Sequence, residues 1–413
     1  MKEHFQDFLA PGPIPRGLPA VAYTGEAFHA AENERLFPRA WVFAGFAHEM
    51  AKRGDVRPVS VGGRPVLLVR GADGVAAFHN ICRHRCLQLV DRPGNAGRLI
   101  RCPYHSWAYR LDGALARAPF FGGADHAPPP GFDPAQHGLA AIRCEAWHDW
   151  LFVNLDGRAP QFADFIAPLA ARLAHLDLAR LRPVATLDFG VIDANWKFLM
   201  ENFIEPYHVQ FVHATTTEQP LTDHAPFIDR HCLGCSVALS AGDASATVAA
   251  AGDAGDDVAS VDAPAADADA AAGDATTVAP GDKPGDGAGA GATTNTLAVD
   301  SSFLTLFPNF VLGAYAPDQL GVHLNTPLGP GRTSQRRVIY LLRDAPPPAP
   351  EVAALERLWR EVHAEDHAIC ERLQAGRRSP LAAAGGRLSP VWEVSVRRFQ
   401  ELVYEGIGAA IED

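Results

Sequence analysis

No stretch of this sequence carries the roughly 18 consecutive apolar residues that a membrane-spanning helix needs, so no membrane partner is expected. The opening residues, MKEHFQDFLAPGPIPRG, lack the apolar core of a secretory leader, and the expected location is cytoplasmic. Basic residues are outnumbered. Against 48 Asp and Glu stand 36 Lys and Arg, a formal charge of −12 that argues against a nucleic-acid partner. Only seven of 413 residues are cysteine, an odd and low count that suits reduced thiols and supports no disulfide scaffold. What is present is globular composition: 47% hydrophobic and 20% charged, in a chain long enough for two domains with real cores.

Much of the negative charge is local. Residues 241–296 hold ten Asp and one Lys, no aromatic residue, and no branched aliphatic beyond scattered Val. Such a segment cannot bury enough apolar area to offset its ordering entropy. It is expected to be a disordered insertion, dispensable for the chemistry. Its GAGAGA run follows no strand and opens no amphipathic helix, so it reads as low complexity and not as a dinucleotide fingerprint.

From about Val56 to Leu155 the pattern is short and β-like, with RPVLLVRG, RLIRCPYHSWAYRLDG and DWLFVNLDG each ended by Gly or Asp-Gly. After about residue 160 the texture changes. FADFIAPLAARLAHL reads as an amphipathic helix and ANWKFLMENFIEPYHVQFVH as a second. Strand-like SFLTLFPNFVLGAY, LGVHLNTPLG and SQRRVIYLLRD follow the insertion, then a long helix over 350–374 whose apolar stripe is Leu355, Leu358, Val362, Ile369 and Leu373. The fold class read from this is α+β. An N-terminal segment, 1–40, precedes a β-rich domain at 41–158. A second domain at 159–413, an antiparallel sheet with helices segregated from it, is interrupted by 241–296.

Within the β-rich part, Cys82-x-His84 is followed after seventeen residues by Cys102-x-x-His105. Two thiols and two imidazoles can hold zinc, the commonest use of such a set. No finger-like Cys-x2-Cys lies near them, and each loop supplies one thiolate and one imidazole. That division suits a 2Fe–2S cluster with two sulfur ligands on one iron and two histidines on the other, where neutral imidazoles raise the potential. FHNICRHRC and RCPYHSWAYRLDG resemble the two cluster loops of the Rieske family almost throughout. The family usually has Gly where this chain has Cys86 and Ser106. Cys86 faces Tyr104 and no cysteine in the second loop, which points away from the disulfide-linked respiratory type; it is expected to be a small buried thiol.

A second constellation lies in NWKFLMENFIEPYHVQFVH. His208 and His213, five residues apart, are separated by about 500° on a regular helix and would face different sides. They can share a metal only if the helix is distorted, and Pro206 supplies a cause. This stretch resembles the mononuclear-iron motif of Rieske non-haem iron oxygenases, whose α (oxygenase) subunit combines a Rieske domain with a helix-grip catalytic domain. The resemblance covers about residues 20–230 and 300–405. It implies that His208, His213 and a downstream carboxylate form the facial triad of an Fe(II) centre. Periodicity does not choose between Glu365 and Asp366; the family pattern places the ligand at Asp366. It also implies that Glu205 bridges a cluster histidine of one subunit to an iron-ligating histidine of its neighbour in a homotrimer. Asp is usual there, and Glu resembles the branch acting on choline, carnitine and glycine betaine.

The implied function is the oxygenase component of a multi-part system. One 2Fe–2S cluster and one Fe(II) per subunit would use O₂, with electrons from a separate NAD(P)H-dependent reductase, with or without a ferredoxin, to hydroxylate or demethylate a small organic substrate. An aromatic ring-hydroxylating dioxygenase shares every motif quoted, so the substrate stays open. A Rieske electron carrier without catalysis would have no use for His208, His213 and Asp366. Cys232 and Cys235, a lone Cys-x-x-Cys, read as structural. Phe303, Phe307, Phe310 and Tyr315 read as sheet core more readily than as a cage for a cation.

Overall fold

The computed structural model describes residues 2–124, 128–214, 216, 220–238 and 299–408; the insertion expected at 241–296 lies outside them. Among the described residues no helix is long and apolar enough to cross a membrane. Three short N-terminal helices, α1 (Gln6–Leu9), α2 (Val21–Thr24) and α3 (Glu26–Ala31), exist to place aromatic residues. Phe5 stacks on Phe28 at 5.9 Å and meets Tyr404 near the C-terminus at 5.3 Å.

The β-rich part contains β1 (Val42–Phe46), β2 (Asp55–Val61), β3 (Arg64–Arg70), β4 (Val75–His79), β5 (Gly94–Asn95), β6 (Leu99–Arg101), β7 (Ala108–Arg110), β8 (Leu115–Arg117), β9 (Ala141–Trp147) and β10 (Trp150–Asn154). Seven of them form one sheet in the order β1-β10-β9-β4-β3-β2-β5, and β6-β7-β8 form a small second sheet. Helix α4 (Phe162–Arg172) leads out of this domain.

The second domain is built on a seven-stranded antiparallel sheet in the order β11-β17-β16-β15-β14-β13-β12. Its strands are β11 (Leu181–Ile192), β12 (His224–Asp229), β13 (Cys232–Ala238), β14 (Val299–Leu306), β15 (Phe310–Tyr315), β16 (Gln319–Gly329) and β17 (Arg332–Leu342). Strand β11 was not expected from the sequence, because Pro183 and scattered polar residues obscure its alternation. It is an edge strand, and Pro183 sits at a register shift, where a missing N–H costs no ladder bond. Helices α5 (Trp196–Ile204), α6 (Val209–Val212), α7 (Ala349–Gly376) and α8 (Val394–Ile407) complete the domain.

The two sheets share a core. Phe43 and Phe46 of β1 and Trp150 and Phe152 of β10 pack with Phe310, Leu320, Val338 and Tyr340 in one buried cluster. Each such ring contributes roughly 1.5–3 kcal/mol by burial. The β1 edge is also pinned by polar bonds. Phe43 N–H donates to Asn309 Oδ1 and Asn309 Nδ2 donates to Phe43 O, both at 2.9 Å. Trp150 Nε1 donates to the Tyr340 hydroxyl at 3.2 Å, which donates to Asp149 at 2.7 Å. Phe307 and Phe310 are core residues, as are the free, buried thiols of Cys232 and Cys235.

The helices depart from the sequence pattern in two places. The stretch from Trp196 to His213 is not one distorted helix. Asn195 caps α5 by accepting from Lys197 N–H at 3.0 Å. The helix ends at Ile204 because Pro206 holds the preceding Glu205 extended, at φ −115° and ψ 138°. The chain restarts as α6, a single turn with His208 at its N-terminal and His213 at its C-terminal boundary. The inner stripe of α7 also differs from the expected one: Leu355, Trp359, His363, Cys370 and Gln374 are buried, whereas Leu358 and Leu373 are exposed. Polar side chains face inward there because α7 lies over a polar site, and apolar periodicity follows the wrong face.

Candidate metal centres

The two cysteine-histidine loops have the same backbone. Cys82 N–H donates to Leu87 O and Cys102 N–H to Trp107 O, both at 2.8 Å. Within each loop a tighter bond returns, from Cys86 N–H to Cys82 O at 2.9 Å and from Ser106 N–H to Cys102 O at 3.1 Å. Closing that turn requires a left-handed residue, and Cys86 and Ser106 supply it at φ 57° and 59°. This is the physical reason for glycine at these two places in the similar family. It also overturns the expectation of a buried thiol. Cys86 is exposed at the loop tip, because a left-handed turn residue points outward.

A side chain in this conformation costs roughly 1–2 kcal/mol, partly offset by the entropy glycine loses on folding. Ser106→Gly is therefore expected to keep the loop intact and to raise stability by up to about 1 kcal/mol. Thermal unfolding measures this; a clear fall in the midpoint would mean that the serine side chain holds the loop.

Cys82 and Cys102 are buried, and the rings of His84 and His105 lie 4.7 Å apart. His84 stacks on Trp107 at 5.1 Å, while His105 is exposed against Tyr104 at 3.7 Å. The Tyr109 hydroxyl accepts from Arg83 N–H at 2.9 Å, which leaves its own proton for Cys82 Sγ at 3.2 Å. Burial pushes both the Cys82 thiol and the Tyr109 hydroxyl up from their ordinary values. Burial lowers His84, which keeps that imidazole neutral and available as a ligand. Tyr109 went unnoticed in the sequence, although it lies only two residues beyond Trp107 of the second loop.

The donor set distinguishes its occupant. A single zinc ion needs its four ligand atoms gathered around one centre at 2.0–2.3 Å. Among the described residues, only His208, His213 and Asp366 bring three metal-type ligand atoms all within 4.8 Å of one another. Cys82, His84, Cys102 and His105 do not close to that span, and a two-iron cluster, which divides its ligands between two metals, fits them.

The His208, His213 and Asp366 group is built across α6 and α7. Asp366 Oδ1 lies 3.1 Å from His213 Nε2 and 3.6 Å from His208 Nε2. It is buried without a hydrogen-bond partner, which a cation held by all three would satisfy. The far side of each ring is held by a carboxylate. His208 Nδ1 donates to Glu205 Oε1 at 2.6 Å, and His213 Nδ1 donates to Glu365 Oε2 at 2.7 Å. Both rings therefore turn Nε2 inward. Glu365 is fixed in turn by the Thr216 hydroxyl at 2.9 Å. Burial pulls both imidazoles down, but Glu205 for His208 and Asp366 for His213 more than reverse it; His213 is pushed up to about 9.

The geometry thus separates two acidic neighbours that periodicity could not. Asp366 meets the two inward nitrogens and Glu365 orients a histidine from behind. Glu205 takes a second task at its other oxygen, accepting from the backbone N–H groups of Tyr207 and His208. Three donors on one side of a metal leave other positions open, which suits binding of O₂ beside a substrate.

Comparison with known proteins matches both parts of the chain to described families. A family model described as ring hydroxylating alpha subunit (catalytic domain) matches residues 172–409, and one described as Rieske [2Fe-2S] domain matches 40–128. The glycine betaine monooxygenase oxygenase subunit of Chromohalobacter salexigens is 35% identical over 198 residues, 48% of this chain and 43% of that one. The carnitine monooxygenase oxygenase subunit of Acinetobacter pittii is 31% identical over 211 residues, 49% of this chain and 54% of that one. The chain thus spans about half the length of these relatives. A crystal structure of a quaternary ammonium Rieske monooxygenase with L-carnitine superposes with a TM-score of 0.72 at 21% identity, covering 97% of each chain. That likeness is one of fold.

Proposed function

This chain belongs to the ring-hydroxylating α-subunit family, and from that membership we propose that it is the oxygenase component of a Rieske-type system acting on a quaternary ammonium substrate. Cys82, His84, Cys102 and His105 would hold a 2Fe–2S cluster, and His208, His213 and Asp366 one Fe(II). The observation that carries the proposal is the convergence of His208 Nε2, His213 Nε2 and Asp366 Oδ1, with each histidine's other nitrogen held by its own carboxylate. When bound, the iron pair would deliver single electrons and the lone iron would activate O₂. In a monooxygenation one oxygen atom enters a substrate C–H bond and the other leaves as water, consuming two electrons and two protons.

The chain's own residues prepare that reaction. Glu205 and Glu365 keep a proton on Nδ1 of each histidine, so that Nε2 stays a lone-pair donor. Tyr109 donates to a cluster thiolate, which raises the potential of the electron store. A separate reductase would supply the electrons. A glutamate at 205, together with the similarity to glycine betaine and carnitine monooxygenase subunits, favours the quaternary ammonium class over aromatic ring dihydroxylation.

A head-to-tail homotrimer would place the cluster of one subunit beside the iron of the next. In support, aromatic side chains stand exposed beside both centres: Tyr104 next to His105, and Tyr207 and Phe211 around His208. The test is O₂ uptake with a surrogate reductase across a substrate panel, joined to EPR of the reduced protein. The expected result is a Rieske-type signal and substrate-dependent uptake. Colourless protein carrying only zinc after anaerobic preparation would end the proposal.

A further inference from the structure

Arg337 is buried near the middle of β17, on the sheet face that α7 covers, with 1% of its surface exposed. Its position depends on glycine. A Cβ on Gly321 of the neighbouring strand would lie 2.2 Å from Arg337 Nη2, and a Cβ on Gly313, the partner of Gly321 in register, 2.2 Å from the Tyr315 hydroxyl. The guanidinium stacks on Trp359, its Cζ 3.5 Å from the ring centroid. Nη1 donates to Nε2 of His323 and of His363, each at 3.2 Å.

The remaining donors, Nε and Nη2, are buried and make no hydrogen bond of good geometry; the Tyr315 hydroxyl acts on the guanidinium as a polar neighbour, but burial holds that phenol protonated, so it brings no negative charge. These two N–H groups point the same way from the guanidinium edge and form the fork that takes a carboxylate with two parallel bonds. No neighbour supplies the missing charge. Burial and the guanidinium hold His323 well below its ordinary value, and burial and the His323 ring do the same for His363, so both are neutral. Asp366 acts on Arg337 only at longer range, and its short contacts are with His208 and His213. A buried cation with two of its three nitrogens unpaired is costly and marks a place for an anion.

That place adjoins the candidate iron centre. His363 precedes Asp366 by three residues on α7, about 4.5 Å of helix rise. Phe203, two residues before Glu205, packs its ring on His323 at 4.9 Å and on Phe303 at 5.7 Å. We propose that Arg337 binds the carboxylate of the substrate through Nε and Nη2, so that this centre acts on carboxylated compounds and discriminates against their uncharged or purely cationic analogues. Within the quaternary ammonium reading, on which the identity of the other end rests, the substrate is a betaine: carboxylate on Arg337, methylammonium towards Phe203, Phe303 and the metal.

The test crosses the two charges. Holoenzyme is titrated calorimetrically with glycine betaine (both), choline (ammonium alone), benzoate (carboxylate alone) and toluene (neither), and O₂ uptake is followed with each. Glycine betaine should bind and be turned over, and choline should bind at least about 10-fold more weakly, the contribution of a charge-assisted bidentate bond. Arg337→Lys keeps the charge but loses the fork. It should raise KM for the carboxylate on the order of 10- to 100-fold, change kcat less, and leave choline unaffected. Iron content and the visible spectrum establish that the variant is assembled, and the wild-type panel decides the matter if it is not. Equal affinity for glycine betaine and choline, no binding of any carboxylate, or an equal effect of Arg337→Lys on both ammonium compounds overturns the proposal. Arg337-dependent binding of benzoate with no response to either ammonium compound would uphold the anchor and overturn the quaternary ammonium reading instead.

Discussion

Asp366→Ala is expected to abolish turnover and to remove about one third of the protein's iron, the rest belonging to the two-iron cluster, whose spectrum should survive. The reason is geometric. Asp366 Oδ1 is the carboxylate oxygen that meets both inward imidazole nitrogens, and it has no other partner to which the site could default. Without it two histidines remain at the ends of one helical turn, too few ligands to hold Fe(II) firmly. The neighbouring substitution separates this account from its rival. Glu365 contacts His213 at Nδ1, behind the ring. Glu365→Ala should therefore lower iron affinity by roughly 10- to 100-fold, the usual cost of releasing a ligand's orienting carboxylate, and should be rescued by excess Fe(II). Iron analysis and single-turnover product yield read both variants. Complete loss in Glu365→Ala with survival in Asp366→Ala would reverse the two assignments.

The second large effect is expected at Glu205. If it joins the partner subunit's His105 to His208, Glu205→Gln should keep both metal centres yet slow oxidation of a pre-reduced cluster in the presence of substrate and O₂. Glutamine can still accept the Nδ1 proton of His208, so tautomer and iron survive while the negative charge is lost. Glu205→Asp keeps the charge and shortens the reach, and should lose less. Glu205 serves His208 through one oxygen and the backbone N–H groups of Tyr207 and His208 through the other. A shorter side chain gives up part of that cap. Stopped-flow absorbance of the cluster measures the rate, and an unchanged rate in Glu205→Gln would show that electrons do not depend on this carboxylate.

The cluster loops were legible in the sequence because all their chemistry lies in two short stretches with fixed spacing. The histidine pair was legible for the same reason, and Pro206 announced a break without revealing its form. The residue before a proline turns extended, so the helix stops at Ile204 and does not bend. Elsewhere local pattern was insufficient. Adjacent residues on a helix differ by about 100°, and only the docking of α7 decides which of Glu365 and Asp366 reaches the nitrogens. Cys86 was misread because burial was inferred from residue type, whereas its exposure follows from a positive φ. Arg337 was invisible because its surroundings come from other strands and from α7: His323 opposite it in register, Gly321 beneath it, Trp359 and His363 above.

Helix α6 has only four residues, and both histidines lie at its ends. An isolated helical turn is unstable in water, since nucleation fixes several dihedral angles for one hydrogen bond. Its geometry is therefore secured from outside, by the Glu205 carboxylate at its start and by Glu365 and Asp366 across from it. Any ion gripping His208 and His213 also clamps the turn between them, so part of the intrinsic ligand affinity is spent on ordering backbone. The centre is in that sense a small folding unit nested in a larger one. Its occupancy and its local hydrogen-exchange protection are two readings of a single equilibrium, and a substitution that loosens the turn weakens metal retention without touching a ligand.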